Sequence, residues 1–213
     1  MVISSRSQRN VTAAVSQLRS LGLQVSGTVA HALKDRARLV SFAVETYGGL
    51  DIVVCNAAIS LHFGPLMETT AQVALKTLEM NVVGQFLLVK EALPYLEKST
   101  HAAVLVLSSY VGYQANNMLG FYSISKTALL NLTKCMAMEL ALKGIQVAGI
   151  APAIIKTEFS KPIWEAAEAS NNPMGRMGLP EEVASVAAFL LSKEAVYVSG
   201  ETVVVAGGLP TRL

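Results

Sequence analysis

The chain has 213 residues, 52% of them hydrophobic and 15% charged, which suits one domain with a substantial core and excludes disorder. A net charge of +2 with no basic run leaves no phosphate-backbone footprint, so nucleic acid is not expected as a partner. No apolar run reaches the roughly 18 to 20 residues of a bilayer crossing, and Met1-Val2-Ile3-Ser4-Ser5-Arg6 does not read as a secretory leader.

In chain order, short β-branched runs alternate with helical patterns. Val2–Ser5 reads as a strand, Val11–Leu21 as a helix stopped by Gly22, Gln24–Ala30 as a strand, and Arg36–Tyr47 as a helix stopped by Gly48-Gly49. The continuous apolar run Asp51–Cys55 predicts a strand covered on both faces. One long helix is expected over Thr70–Leu96, a buried strand over Ala102–Ser108, a helix over Phe121–Lys143 and a strand over Gln146–Ala151. Pro180–Leu191 follows as a helix with proline in its first turn, and Glu201–Ala206 as a last strand. This alternation predicts right-handed crossovers and a doubly wound α/β domain with a parallel sheet, Rossmann-like, occupying 1–213 as a single unit. The long irregular stretch Ile154–Leu179 is expected to be functional.

Cys55 and Cys135, the two cysteines, read as small buried hydrophobes rather than a disulfide. His31, His62 and His101 are scattered, so no metal site is expected. The sharpest chemical signal is Tyr122-Ser-Ile-Ser-Lys126 at the start of a helix, with Ser109 thirteen residues before the tyrosine. Spacing of four puts Tyr122 and Lys126 on one helix face, where an ammonium would stabilise a phenolate and fit the phenol for proton transfer. Ser109 ends a parallel strand, the place where open α/β sheets hold ligands. Taken alone, a tyrosine and lysine at this spacing are more often a solvated pair.

Their context resembles the short-chain dehydrogenase/reductase family. Ser109, Tyr122 and Lys126 keep its serine–tyrosine–lysine spacing. Asn56-Ala57-Ala58 resembles its Asn-Asn-Ala-Gly motif, with Cys55 and Ala58 as departures. Asn81 matches an asparagine that supports a proton relay in the family. Pro152 to Thr157 resembles the Pro-Gly motif, with Ala153 in place of glycine, and Gly200 to Gly208 resembles the last strand. Within the family the chain is most similar to the peroxisomal NADPH-dependent carbonyl/retinal reductases, on Ser4-Ser5-Arg6, Ile155 to Ser160 and Thr211-Arg212-Leu213.

The resemblance implies an NADPH-dependent reductase of ketones, aldehydes or retinal-like carbonyls. Ser109, Tyr122, Lys126 and Asn81 would be catalytic. Asn56, Ala57, Tyr122, Lys126, the Ile155 backbone and the Thr157 hydroxyl would meet the cofactor. Ser5 and Arg6, standing where an acidic residue would select NADH, favour the 2′-phosphate of NADPH. A homo-oligomer through the helices at Thr70–Leu96 and Phe121–Lys143 is also implied. The end Thr211-Arg212-Leu213 resembles the peroxisomal Ser-Lys-Leu address, with cytoplasm or mitochondrion as alternatives.

In the family a strand, a Gly-x-x-x-Gly-x-Gly turn and a helix precede the strand that begins here at Val2, on the order of 30 residues. No glycine precedes Gly22. The fold is therefore expected to lack its first strand and helix, the strand being central, between Val2–Ser5 and Asp51–Cys55. Either those two strands come together, or the first part of the chain attaches loosely. The corresponding alternative function is a weak or inactive isoform acting only through oligomerisation; a start site further upstream is the third possibility.

Overall fold

In a computed structural model, the structure describes residues 1–161 and 172–210. The first strand, β1 (Val2–Ser5), runs into Ser7, whose side chain accepts the Asn10 N–H at 3.4 Å and caps α1 (Gln8–Ser20). This cap starts the helix three residues before the apolar pattern does. Val11 and Val15 of α1 press on β2 (Ser26–Val29) at Gly27, where an added Cβ would lie 2.6 Å from Val11 Cγ1. Glycine is required there by close approach. Helix α2 (Arg36–Tyr47) ends in Gly48 at φ 80°, a left-handed cap.

Strands β3 (Ile52–Cys55), β4 (Ala103–Leu107), β5 (Gln146–Pro152) and β6 (Thr202–Val205) form one parallel sheet in that order. The expected long helix is three pieces: α3 (Ala71–Leu78), a π-helical turn over Glu79–Val83, and α4 (Gly84–Leu96). Such a widened turn is invisible to a 3.6-residue pattern and often marks a functional position. Helix α5 (Gly120–Leu140) continues as a 3₁₀ turn, Ala141–Lys143, and α6 (Pro180–Leu190) precedes β6.

The core lies on both faces of the four-stranded sheet. On one face Val104, Val106 and Val147 pack with Val40 of α2, Leu96 of α4 and Leu129 of α5. On the other, Leu105, Ala148 and Ile150 pack with Leu190 of α6. Helices on both faces of a parallel sheet make this the doubly wound architecture the alternation implies.

Two expectations need correction. Strand β3 is covered on one face only: Val53 and Cys55 are buried, whereas Ile52 and Val54 are 37% and 47% exposed. Their register with Ala103 and Leu105 places them on the α6 side, but α6 packs on β5. Cys135 is exposed rather than buried; Cys55 is buried, and burial pushes its thiol up to about 12.

The strands flanking the expected gap do not come together. Among the described residues β1 pairs with β2 alone, as a separate two-stranded parallel sheet, and β3 pairs only with β4. What joins the two sheets is α2, which packs on β2 and on α4 and inserts Val40 into the larger core.

Candidate active site

The site forms where the chain leaves β4 and enters α5. Ser109 opens a 3₁₀ turn, Tyr110–Gly112, that is docked onto the first turns of α5 by four side chains. Ser108 Oγ donates to the Lys126 carbonyl at 2.7 Å, Thr127 Oγ1 to the Gly112 carbonyl at 2.8 Å, and Ser123 Oγ to the Val111 carbonyl. Lys126 Nζ donates to the Leu107 carbonyl at 2.6 Å. Gly112 sits so close to the helix that an added Cβ would be 2.9 Å from the Lys126 C and O atoms. These contacts bring Ser109, Tyr122 and Lys126 together, although Ser109 lies on a different element.

The Ser109 hydroxyl lies beside the Tyr122 phenol, donates to the Pro152 carbonyl at 3.3 Å and accepts the Val111 N–H at 3.4 Å. The electrostatics differ from the sequence expectation. Burial pushes the Tyr122 phenol up to about 12, and the neighbouring Ser109 hydroxyl offsets this only in part. Lys126 is 3% exposed, and burial lowers its ammonium to about 8. Its Nζ lies 5.5 Å from the Tyr122 ring centroid and spends its short hydrogen bond on Leu107. A lysine so placed is itself costly to charge, so it does not bring the phenol down.

Asn81 lies within the π-helical turn and is wholly buried. Its Oδ1 accepts the Ile59 N–H at 2.8 Å, and its Nδ2 donates to the Ile59 carbonyl at 2.9 Å and to Ser125 Oγ at 3.0 Å. Ser125, also wholly buried, donates to the Tyr122 carbonyl at 2.6 Å. Asn81 is thus tied to the turn that carries Tyr122 through Ser125. Both hydrogens of its side-chain amide are spent in these bonds.

The residues expected to meet a dinucleotide line two places. Asn56 and Ala57 are exposed beyond β3, with the Ala57 carbonyl held by Gln85 Nε2. Beyond β5, the Lys156 N–H donates to the Gly178 carbonyl at 2.9 Å, and the Gly178 N–H to the Ile154 carbonyl at 3.1 Å. This bridge turns the Ile155 N–H away from Gly178, and it finds no partner among the described residues. A free backbone donor beside Thr157 suits the carboxamide of a nicotinamide. Ser5 and Arg6 stand apart, at the end of β1: the Ser5 carbonyl accepts the Ala30 N–H at 3.0 Å, and Arg6 is exposed. Ser5 and Arg6 therefore belong to the two-stranded sheet, while the other candidates belong to the four-stranded one.

Three residues here were not singled out in the sequence. Ser125 lies inside the Tyr122–Lys126 motif, where two serines invited no distinction. Phe159 and Ser160 follow Thr157; the Phe159 ring lies 6.1 Å from that of Tyr122. Part of the expected functional loop, residues 162–171, and the end Thr211-Arg212-Leu213 lie outside the described residues. Among the described residues no group of three or more His, Cys, Asp or Glu gathers, and no helix is long and apolar enough to cross a membrane.

A family described as Enoyl-(Acyl carrier protein) reductase matches residues 1–210. The chain is 46% identical over 220 residues to dehydrogenase/reductase SDR family member 4 of Oryctolagus cuniculus, covering 100% of this chain and 85% of that relative. Among solved structures, an NADPH-bound short chain oxidoreductase of Pseudomonas aeruginosa, said to contain an atypical catalytic center, superposes with a TM-score of 0.92. It is 26% identical and is matched over 100% of this chain and 87% of its own. A short-chain dehydrogenase/reductase of Brucella melitensis, of the glucose/ribitol dehydrogenase type, gives a TM-score of 0.91 at 30% identity, over 99% of this chain and 86% of its own.

Proposed function

Since this chain belongs to the short-chain dehydrogenase/reductase family of oxidoreductases, we propose that it reduces ketones, aldehydes or retinal-like carbonyls with NADPH. The observation that carries this is the Tyr122 phenol set beside Ser109 and over the buried Lys126. The NADPH-bound neighbour and the free Ile155 N–H support the choice of cofactor class. Ile155 and Thr157 would hold the carboxamide, Asn56 and Ala57 the adjoining face, and Ser5 and Arg6 the adenosine end with its phosphate. When bound, the dinucleotide supplies the hydride.

The chain's own residues handle the oxygen and its proton. The Ser109 hydroxyl turns from the Pro152 carbonyl to donate to the substrate oxygen. The Tyr122 hydroxyl, neutral throughout the physiological range, donates its proton to that oxygen as negative charge develops there. Burial holds the Lys126 ammonium at about 8, so this lysine can give up a proton near neutrality. Asn81 keeps the turn after β3 in register with Tyr122 through Ser125.

One observation favours a different role, that of a weak or inactive isoform acting through oligomerisation. The residues for the two ends of the cofactor stand on separate sheets, and among the described residues β1 and β3 each hydrogen-bond a partner strand on one side only. Helices α3, α4 and α5 would form the contact between copies. A steady-state assay with NADPH and a reactive diketone separates the two. Turnover abolished by Tyr122→Phe supports the reductase, and absence of turnover in a stable oligomer supports the isoform. The Thr211-Arg212-Leu213 end would direct the protein to peroxisomes; a diffuse signal from an N-terminally tagged copy would refute that.

A further inference from the structure

Ser160 is 8% exposed and closes the turn that leaves β5 on the cofactor side. Its Oγ donates to the Ile155 carbonyl and accepts the Thr157 N–H at 3.2 Å. The two hydroxyls, Ser160 Oγ and Thr157 Oγ1, lie 3.1 Å apart, and the Ser160 N–H reaches Thr157 Oγ1 at 3.4 Å. Opposite this knot, the Gly178 strand-like bridge holds Ile154 and Lys156. Gly178 fits only because it lacks a side chain: a Cβ there would lie 2.5 Å from Ile155 Cδ1. The Gly178 bridge therefore turns the Ile155 N–H outward, where it meets no partner among the described residues, and Ser160 holds the Ile155 carbonyl that follows it. Between Thr157 and Ser160 the chain carries Phe159, whose half-exposed ring meets Tyr122.

We propose that Ser160 is a positioning residue for the nicotinamide end of the site, one hydroxyl setting the Ile155 carbonyl, the Thr157 hydroxyl and the Phe159 ring together. The proposal rests on the assignment of Ile155 and Thr157 to the carboxamide. Its physical basis is that removing the Ser160 hydroxyl takes the side-chain acceptor from the Thr157 N–H and the shorter of two hydroxyl donors from the Ile155 carbonyl, which keeps Thr157 Oγ1 at 3.4 Å. Without it Thr157 Oγ1 is left to turn toward the Ile155 carbonyl, and the hydroxyl that would meet the carboxamide is no longer pre-oriented. Ser160 touches neither the adenosine end nor the Ser5–Arg6 segment, so its effect is confined to one end of the ligand.

The test uses the full chain and two probes, NADPH and 2′,5′-ADP, titrated by calorimetry against wild type, Ser160→Ala and Ser160→Thr. Expected is an about tenfold weaker affinity of Ser160→Ala for NADPH, the loss of about one hydrogen bond. Affinity for 2′,5′-ADP should change less than about twofold, and Ser160→Thr, which keeps the hydroxyl, should recover most of the NADPH affinity. Retained 2′,5′-ADP binding also shows that the variant is folded, which a purely structural role for Ser160 would not preserve. Equal weakening of both probes, or unchanged NADPH affinity, overturns the role of Ser160 while leaving the reductase assignment standing. If wild type binds neither probe, that assignment fails and the role of Ser160 falls with it.

Discussion

Replacing Lys126 by methionine should change how stability depends on pH more than it changes stability at neutrality. Burial lowers Lys126 from an ordinary 10.5 to about 8. At about 1.4 kcal/mol per pH unit, this gap corresponds to about 3 kcal/mol of cost for keeping the ammonium inside. Below pH 8 the folded and unfolded chains both hold the proton, and the cost is present in full. Between pH 8 and 10.5 the folded chain releases the proton while the unfolded chain keeps it, so wild-type stability rises at up to about 1.4 kcal/mol per unit. Tyr122 acts in the opposite sense from pH 10 upward, because the unfolded phenol ionises near 10 and the folded one near about 12.

A methionine side chain at this position would fill the same space without titrating, but it leaves the Leu107 carbonyl without its 2.6 Å partner, at a cost of about 1–3 kcal/mol. The two effects nearly cancel at pH 7, where Lys126→Met should lie within about 2 kcal/mol of wild type. Urea unfolding at intervals from pH 7 to about 9.5 reads the difference. Wild type should gain about 2 kcal/mol over that range relative to the variant. Parallel stability curves would mean that Lys126 titrates near its ordinary value, and the account of a desolvated lysine would be wrong.

Arg6→Ala should weaken NADPH by about tenfold or more and NADH by less than about twofold, measured by competitive titration; a clear NADH preference in wild type would refute the assignment of Ser5 and Arg6. Ser125→Ala leaves one Asn81 Nδ2 hydrogen buried without its acceptor, and should cost about 1–3 kcal/mol, or a fall in Tm of about 2–4 °C per kcal/mol by calorimetry. An unchanged Tm would show that Asn81 finds another partner. Gly112→Ala forces the 3₁₀ turn away from backbone atoms of Lys126, not from a side chain that could swing aside, so about 1–3 kcal/mol of stability should go together with reductase turnover. Full turnover in that variant would mean that the turn and α5 move independently.

Much of this molecule is local information. The alternation of β-branched runs with helical patterns determined the order of strands and helices, because each element carries its own period along the chain. Helix stops at Gly22 and Gly48 were legible because a residue without Cβ ends a helix by its own backbone freedom. Tyr122 and Lys126 share a helix face by spacing alone, and Ser109 was visible as the residue that follows the buried run Ala102–Ser108.

Tertiary structure decided the rest, because it depends on what stands opposite. The exposure of Ile52 and Val54 is set by which helix reaches β3, and no property of the run Asp51–Cys55 encodes that. The phenol value follows from burial and from where Lys126 Nζ points, and that direction is dictated by the Leu107 carbonyl on another element. The π-helical turn at Asn81 and the hydroxyl knot at Ser160 escaped notice because neither has a residue pattern of its own: one is a widened helical turn, the other a set of side-chain hydroxyls bonded to groups three to five residues away. The division of the strands into two sheets is likewise decided by pairing: β1 and β3 each read as ordinary strands, and a strand carries no mark of which neighbour it will find.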